Sequence, residues 1–424
     1  MSTPAQHEPL ATFELPEGPH GSSDPTHLPS DSMGIAEAEM ENIKTESSPY
    51  LTAEAPDGGT AAWLVVLGAW CTSFCSFGWL NSVGVFQEYY QNVLLSTYSS
   101  SEIAWIPSLQ IFFMMAMGPV VGTLFDRYGP RWLLFIGSLL HVLGVMMTSL
   151  GSQYYQVLLA QGVCSDIGVA CIFQPAMNVI GGWFDKKRGA AFGILSTGSS
   201  LGGVVFPIMV NRLICRAGFG WAMRARGFLV LFMLTIANLT IRAYRPPHPQ
   251  KVTGAMVRKP FTEPEFVLLS ADLFCFTYVL FVPINYITIL GLHAGMETNL
   301  AEYLAPMLNG GSLFGRLLIP TITNASLIAF AVLFGFSSGA YVSLITPLVM
   351  QISPPNEIGL RTGIIFFVNA VAGLTTNPIN GAILAKPNGW IGMKPFAGIF
   401  CLVGTTFVLA ARVYKTGWKL NAIF

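Results

Sequence analysis

The sequence predicts an all-α protein embedded in a lipid bilayer, and three observations carry that prediction. Charged residues make up only 10% of the 424 residues and hydrophobic ones 52%, whereas a soluble domain carries about 25% charged residues. Mean hydropathy is +0.56. The apolar residues are also contiguous, in runs of the ~20 residues a helix needs to cross the hydrocarbon core, where backbone groups must be satisfied within the helix. With a net charge of zero, this composition excludes a water-soluble globule, whole-chain disorder and a nucleic-acid-binding protein.

Residues 1–56 stand apart. They hold ten acids and a single base, Lys44, among Ser, Thr, Pro and His, a composition too polar to bury a core, and they read as a disordered acidic cytoplasmic tail. No basic region followed by a short apolar core is present, so no signal peptide is expected and the first span directs insertion. Eleven apolar stretches follow, at 62–86, 103–125, 132–150, 155–180, 190–211, 226–242, 264–291, 299–320, 326–350, 361–385 and 395–414. The Pro-rich, basic stretch 243–263 divides six spans (57–242) from five (264–415) and reads as a cytoplasmic linker, with 416–424 as a short cytoplasmic tail.

Basic residues collect on the cytoplasmic side of membrane proteins. With the amino terminus inside, the first six spans place Arg127, Arg131, Lys186, Lys187, Arg188, Arg242, Arg245, Lys251, Arg258 and Lys259 inside, and leave only Arg212, Arg216, Arg224 and Arg226 outside. The second half is shorter than the first and its charges fit worse. Eleven spans taken literally put Arg361, Arg412, Lys415 and Lys419 outside; restoring one span reverses this. Both arguments point to a helix absent between Pro320 and Asn324.

Seven cysteines are scattered without a paired framework, which offers neither a disulfide scaffold nor a metal site. Cys71 and Cys75 lie one helical turn apart, as small residues at a helix contact or, less simply, as a ligand pair. No GxxxxGK[ST] loop, HExxH or Ser/His/Asp set appears, so a nucleotide-driven pump, an enzyme and a cofactor are not expected. Asn238 and Asn324 head glycosylation sequons; the first lies inside an apolar span and the second close to the membrane.

Between spans two and three runs Gly122-Thr-Leu-Phe-Asp126-Arg127-Tyr-Gly129-Pro-Arg131. Gly122 permits close helix approach, Asp126 can face a helix amino terminus, and Gly129 suits a tight turn; such a cluster can latch two helices in one state and release them in another. The pattern GxxxDRxGxR is similar to the signature loop of the major facilitator superfamily. Asp57-Gly58-Gly59 before Trp63, the stretch Trp183 to Gly193 continuing to Ser199-Ser200-Leu-Gly202-Gly203, and Gly311-Ser312-Leu-Phe-Gly315-Arg316 narrow the resemblance to the monocarboxylate transporter family, fungal branch. The resemblance implies a major facilitator fold of two six-helix bundles, here with about eleven recognisable spans, a small-molecule substrate at their interface and alternating access by rocking. It implies a monomeric or weakly oligomeric protein of the plasma membrane or the vacuole. Two positions depart from that family: Asn81 stands where the animal members carry a Lys, and Ser312 where they carry an Asp. The lactate–proton mechanism is therefore not carried over.

Polar groups inside spans are costly and are site candidates. Arg316 offers a bidentate fork for an anionic substrate group, or else a basic residue of the inner face. Asn81, Gln174, Asn178 and Asn369 are candidate substrate contacts, or interhelical hydrogen bonds. Asp166, mid-span four, is either a protonatable coupling group or a paired residue without a transport role. The expected function is secondary transport of a small organic anion or amphipathic metabolite, with export of a fungal secondary metabolite favoured. An importer of a monocarboxylate or a riboflavin-like vitamin, and a non-transporting protein short of one helix, are the rivals.

Overall fold

The computed structural model describes residues 55–83, 86, 89–244, 253–293, 303–317, 337–338, 346–350, 352–354, 357–384, 386 and 389–416. The acidic tail to Glu54, most of the linker at 245–252, the gap expected between Pro320 and Asn324, the Asn324 sequon, the side chain of Arg316 and the end from 417 lie outside the described residues. Within them the helices are α1 (Thr60–Cys75), α2 (Phe77–Leu80), α3 (Trp105–Ala116), α4 (Gly118–Tyr128), α5 (Pro130–Thr148), α6 (Asp166–Trp183), α7 (Arg188–Ala217), α8 (Phe219–Thr240), α9 (Pro264–His293), α10 (Leu304–Leu317), α11 (Ile358–Leu384) and α12 (Gly389–Thr416). Short turns precede α3, and a π-helix, Leu158–Ser165, runs directly into α6. Taken singly or as continuous pairs, nine of these elements are long and apolar enough to cross a membrane.

The outer faces confirm the solvent. On α5, Trp132, Phe135, Ile136, Leu139, Leu143 and Met147 recur at helical spacing and are all exposed, a stripe that water would penalise and lipid does not. The opposite stripe of α5 carries Gly137, Ser138, His141 and Gly144 against α6 and the π-helix; small residues let membrane helices approach closely, since hydrophobicity cannot drive their association. Asn238 is spent in the same way, its amide donating to Ser138 Oγ at 2.9 Å and to the Leu234 carbonyl. Cys71 and Cys75 lie buried in the helix contact, with Cys75 Sγ 3.9 Å from the Val230 carbonyl.

Helices α1 to α8 form one set, with α1 packed on α7 and α8, and α5 on α6; α9 packs on α11 and α12 in a second set. Two seams join the sets: α7 against α10, and α3–α4 against α11. The second seam is backbone on backbone. A Cβ on Gly118 would stand 2.4 Å from the Gly363 carbonyl oxygen, and one on Gly122 2.4 Å from that of Gly359. Just below, the Asp126 carboxylate packs on Gly359 in the first turn of α11, beside the Leu360 backbone N–H, where unpaired N–H groups and the helix dipole favour an anion. Gly129, at φ 75°, then turns the chain directly into Pro130 of α5. Arg127 and Arg131 of the same motif are exposed, Arg127 resting on the Tyr128 ring.

The same face carries two further ties. Asp57 Oδ1 accepts from the backbone N–H groups of Asp185 and Lys187 at 2.7 and 3.2 Å, and Trp183 Nε1 donates to the Arg242 carbonyl at 2.8 Å. The linker ends in a short helix and a 3-10 turn at Gly254–Arg258 and Lys259–Thr262. Next to it, Arg361 donates to both oxygens of Glu263, at 2.6 and 2.9 Å, and to Glu357 at 2.9 Å.

Of the two placements of Arg361, by the literal count of eleven spans and by a restored span, its bonds to Glu263 and the contact of Asp126 with Gly359 agree with the second, on the Asp126 face. One expectation needs correction. Arg226, counted among the outer bases, is fully buried: α8 begins at Phe219, seven residues before the apolar window, so Arg226 lies two turns inside the helix.

Two outcomes test this seam. Gly363→Val should separate α4 from α11 and raise the rate at which a cysteine placed at Ser196 is alkylated from the Asp126 face by about tenfold, for a clash of about 1.4 kcal/mol. Hydrogen bonds from Arg361 hold the Glu263 carboxyl below the usual carboxylate range. Its tie therefore stabilises fully above about pH 4.3, the ordinary Glu value, and is lost as the pH falls through the lower folded value. Glu263→Gln should flatten that acid limb in a thermal-unfolding series; an unchanged limb would assign it elsewhere.

Candidate functional site

A narrow cleft lies where the two helix sets meet, lined by Phe77, Asn81, Ser199, Leu280, Phe281, Ile284, Leu308, Asn309, Ser312 and Ser338. A second narrow space, within the first set, shares Phe77 and Ser199 with it and is otherwise lined by Ser73, Phe173, Met177, Phe192, Leu195 and Ser196. Phe77 thus stands between the two, in edge contact with Phe173 at 4.8 Å, and Phe173 meets Phe366 of α11 across the seam at 6.4 Å.

Local geometry explains why these side chains arrive there. The first span breaks at Ser76 (φ −85°, ψ −83°) into α1 and α2, and the Ser76 hydroxyl bonds back to the Thr72 carbonyl at 2.7 Å. The break turns Phe77 and Asn81 towards the cleft while Gly78 stays against Gly202 of α7, where an added Cβ would meet the Gly202 Cα at 2.7 Å. Gly203, one residue on, makes room for the Asn309 side chain of α10. The Asn81 amide reaches the Ser199 carbonyl at 3.5 Å and the Asn309 amide the Ala305 carbonyl at 3.0 Å, so each amide retains hydrogen-bonding capacity for a ligand. Among the described lining residues none is charged. The surface is aromatic and aliphatic with five hydroxyl- or amide-bearing positions, Asn81, Ser199, Asn309, Ser312 and Ser338, the composition of a site for an amphipathic small molecule.

Of the residues singled out from sequence, Asn81 lines the cleft and Arg316 lies one turn beyond the lining residue Ser312, in the last turn of α10. Gln174, Asn178 and Asn369 are buried, each with one amide atom lacking a partner among the described residues, and none of them lines either space. Asp166 is buried away from the cleft, in the first set. Gly122 and Asp126 serve the seam. Asn309 and Phe77 were missed. An Asn inside an apolar span was the available signal for the first; the second carried none, because thirty phenylalanines hide the one that a helix break exposes.

Comparison with known proteins sets this geometry in context. The chain is 53% identical over 397 residues to "MFS transporter asaE" of Aspergillus flavus, covering 86% of this chain and 90% of that protein. It is 47% identical over 450 residues to the "Fujikurins efflux protein" of Gibberella fujikuroi, covering 99% and 96%. It is 37% identical to the "Aspyridones efflux protein apdF" of Emericella nidulans, covering 87% and 80%. In the first alignment 86% of 424 residues is about 365, so about 32 of the 397 positions face no residue here. In the second, 99% is about 420, leaving about 30 of 450. Among solved structures, a peptide transporter, POT, in complex with sulfate aligns with a TM-score of 0.59 at 13% identity, over 84% of this chain and 96% of that one, a likeness of fold alone. Residues 62–325 match the Major Facilitator Superfamily, and with these relatives that match establishes that the chain belongs to the Major Facilitator Superfamily.

Proposed function

We propose that this protein exports an amphipathic fungal secondary metabolite through the cleft between its two helix sets, as a secondary transporter of the plasma membrane with its amino terminus in the cytoplasm. The observation that carries the reading is the cleft itself, walled by both helix sets and lined by aromatic surface and a few amides and hydroxyls. Relatives named as efflux proteins for fujikurins and aspyridones support the direction and the substrate class. The Asp57-Gly58-Gly59 and Gly315-Arg316 motifs support placing the chain in the monocarboxylate porter branch. Asn81 and Asn309 orient the polar groups of the substrate, and Arg316 meets an acidic group where the substrate has one. Two bundles, 57–242 and 264–415, rock about the cleft as a monomer, driven by protons that Asp166 carries.

Gene deletion tests the reading with the native product as its own reporter. The deletion strain should retain metabolite in the mycelium and lose it from the medium. Complementation with Asn309→Leu should leave secretion about tenfold below wild type at equal protein level, the cost of an unmet polar group in a substrate site. Unchanged secretion together with lost uptake of an acid would replace export by import.

A second reading has its own support: the chain is short of one span. The unmatched positions in two alignments, about 32 and about 30, equal a helix of ~20 residues and its loop. An added span between Leu317 and Ile358 also explains why α11 starts on the Asp126 face. Sequencing the transcript across codons 316–326 should reveal an in-frame segment of about 30 codons, a span plus its loop. Complementation with and without it decides which form transports, and a transcript identical to this chain that restores secretion overturns the reading.

A further inference from the structure

The first helix set holds an unmet cation. Arg226 is 0% exposed, its guanidinium carbon lies 3.0 Å from the centroid of the Trp79 ring and 5.5 Å from that of Phe206, and none of its three guanidinium nitrogens has an acceptor among the described residues. Guanidinium does not give up its charge in proteins, and aromatic faces offset only part of the desolvation cost of a buried cation. Among the described residues the one carboxylate within its electrostatic reach is Asp166, which is 1% exposed and whose Oδ2 likewise lacks a partner among them. The two do not form an ion pair within 4.0 Å, unlike the bonded Arg361 and Glu263. A purely structural pair would be expected to close that gap, since each partner alone is costly.

The surroundings fit a site that changes charge. Asp166 sits where the π-helix Leu158–Ser165 gives way to α6, and π-turns concentrate at functional positions. Facing the pair among the described residues are Cys75 of α1, Tyr90, His141 of α5 and Cys164 of the π-helix. The Gln110 amide of α3 lies beside the carboxylate without closing a hydrogen bond of ordinary geometry. Tyr90 donates to Gln161 at 2.6 Å, Gln161 donates to Gln110 at 3.2 Å, and His141 Nδ1 bonds Ser165 at 2.9 Å. Trp79 belongs to α2, the four-residue segment beyond the break at Ser76. Its neighbours two positions to either side, Phe77 and Asn81, line the substrate cleft.

We propose that Asp166 and Arg226 form a proton-binding pair outside the substrate cleft, and that Trp79 carries its state to Phe77 and Asn81. The proposal deepens the proton-driven export reading and rests on it. With Asp166 protonated the pair carries one net positive charge, and the guanidinium stays on the Trp79 ring. When the proton leaves to water on the open side, the carboxylate draws the guanidinium away, and α2 is released to reorient the two cleft residues. Arg226 is thus a positioning residue, and Asp166 holds the transported proton.

The test needs no substrate. Infrared difference spectra of the full-length protein in liposomes, with buffer pH stepped, should show the carbonyl band of a buried carboxylic acid that titrates. The band should vanish in Asp166→Asn, and in Arg226→Gln it should persist to a pH higher by about one unit or more, because a lost neighbouring cation favours the protonated acid. Arg226→Lys should keep the wild-type midpoint, which decides the matter should Arg226→Gln fail to fold. As a second readout, Asn81→Cys is labelled with maleimide in a background where the exposed Cys215 and Cys401 are Ser. Its labelling rate should change at least about threefold across that midpoint, and should lose this dependence in Asp166→Asn and in Trp79→Leu, while Trp79→Leu keeps the infrared band. A band that survives Asp166→Asn, or labelling that stays pH-dependent there, reduces the pair to a structural element and overturns the proposal. A titrating band in a protein whose gene deletion leaves secretion unchanged would instead overturn the export reading and leave the proton site standing.

Discussion

Backbone contact between α4 and α11 is the constraint on which the rest of the arrangement depends. Two membrane helices can touch at their peptide planes only where neither carries a side chain, and Gly118 with Gly363, and Gly122 with Gly359, provide that twice on one line. Once the helices are that close, the Asp126 carboxylate falls onto the first turn of α11, where it lies beside the Leu360 N–H and the positive end of the helix dipole. The seam is therefore both steric and electrostatic, and it lies at one end of the bundle. The space between α2, α7, α9 and α10 takes its walls from both helix sets that this seam holds together.

Within that space, the break at Ser76 does two jobs on one short segment. It points Phe77 and Asn81 at the cleft, and it lays Trp79 under Arg226 on the far side of α2. A regular helix would hold those three side chains at another phase to the rest of the span; the departure at Ser76 resets that phase for all three together. The ion pairs behave differently. Arg361, between Glu263 and Glu357, is fully met and ties the linker to α11, whereas Arg226 and Asp166 face each other unmet. Bonded charges hold a structure still, and unbonded ones leave it a second arrangement to adopt.

Much of this was legible in the sequence. Spans one to seven follow from hydropathy, because twenty contiguous apolar residues have few other homes than a bilayer. The loop from Gly122 to Arg131 announced itself because glycine, acid and base at those spacings have no role in a plain lipid-facing turn. Asn81 was visible for the same reason that Asn309 should have been: an amide in an apolar span demands a partner. Arg226 was misread because hydropathy averages over a window and places the helix start where the charge ends; cation–π compensation by Trp79 is a three-dimensional fact that a window cannot see. The side of Arg361 stayed a choice between two span counts, because parity accumulates every error in the count; its bonds to Glu263 agree with the restored span. Gln174, Asn178 and Asn369 were chosen on polarity alone, which does not say which way a helix faces.

The last helix has a consequence of its own. Little of α12 is covered by protein, so hydrocarbon chains, more than neighbouring side chains, set its tilt. Its chief contact is α9, where Phe396 and Phe400 flank Tyr278, and α9 also supplies Phe281 and Ile284 to the cleft wall. A change in bilayer thickness that tilts α12 would therefore act first on α9, the helix that lines the cleft. Sterol-rich and sterol-poor membranes would present one polypeptide with differently shaped interiors, making acyl-chain length a silent determinant of what fits.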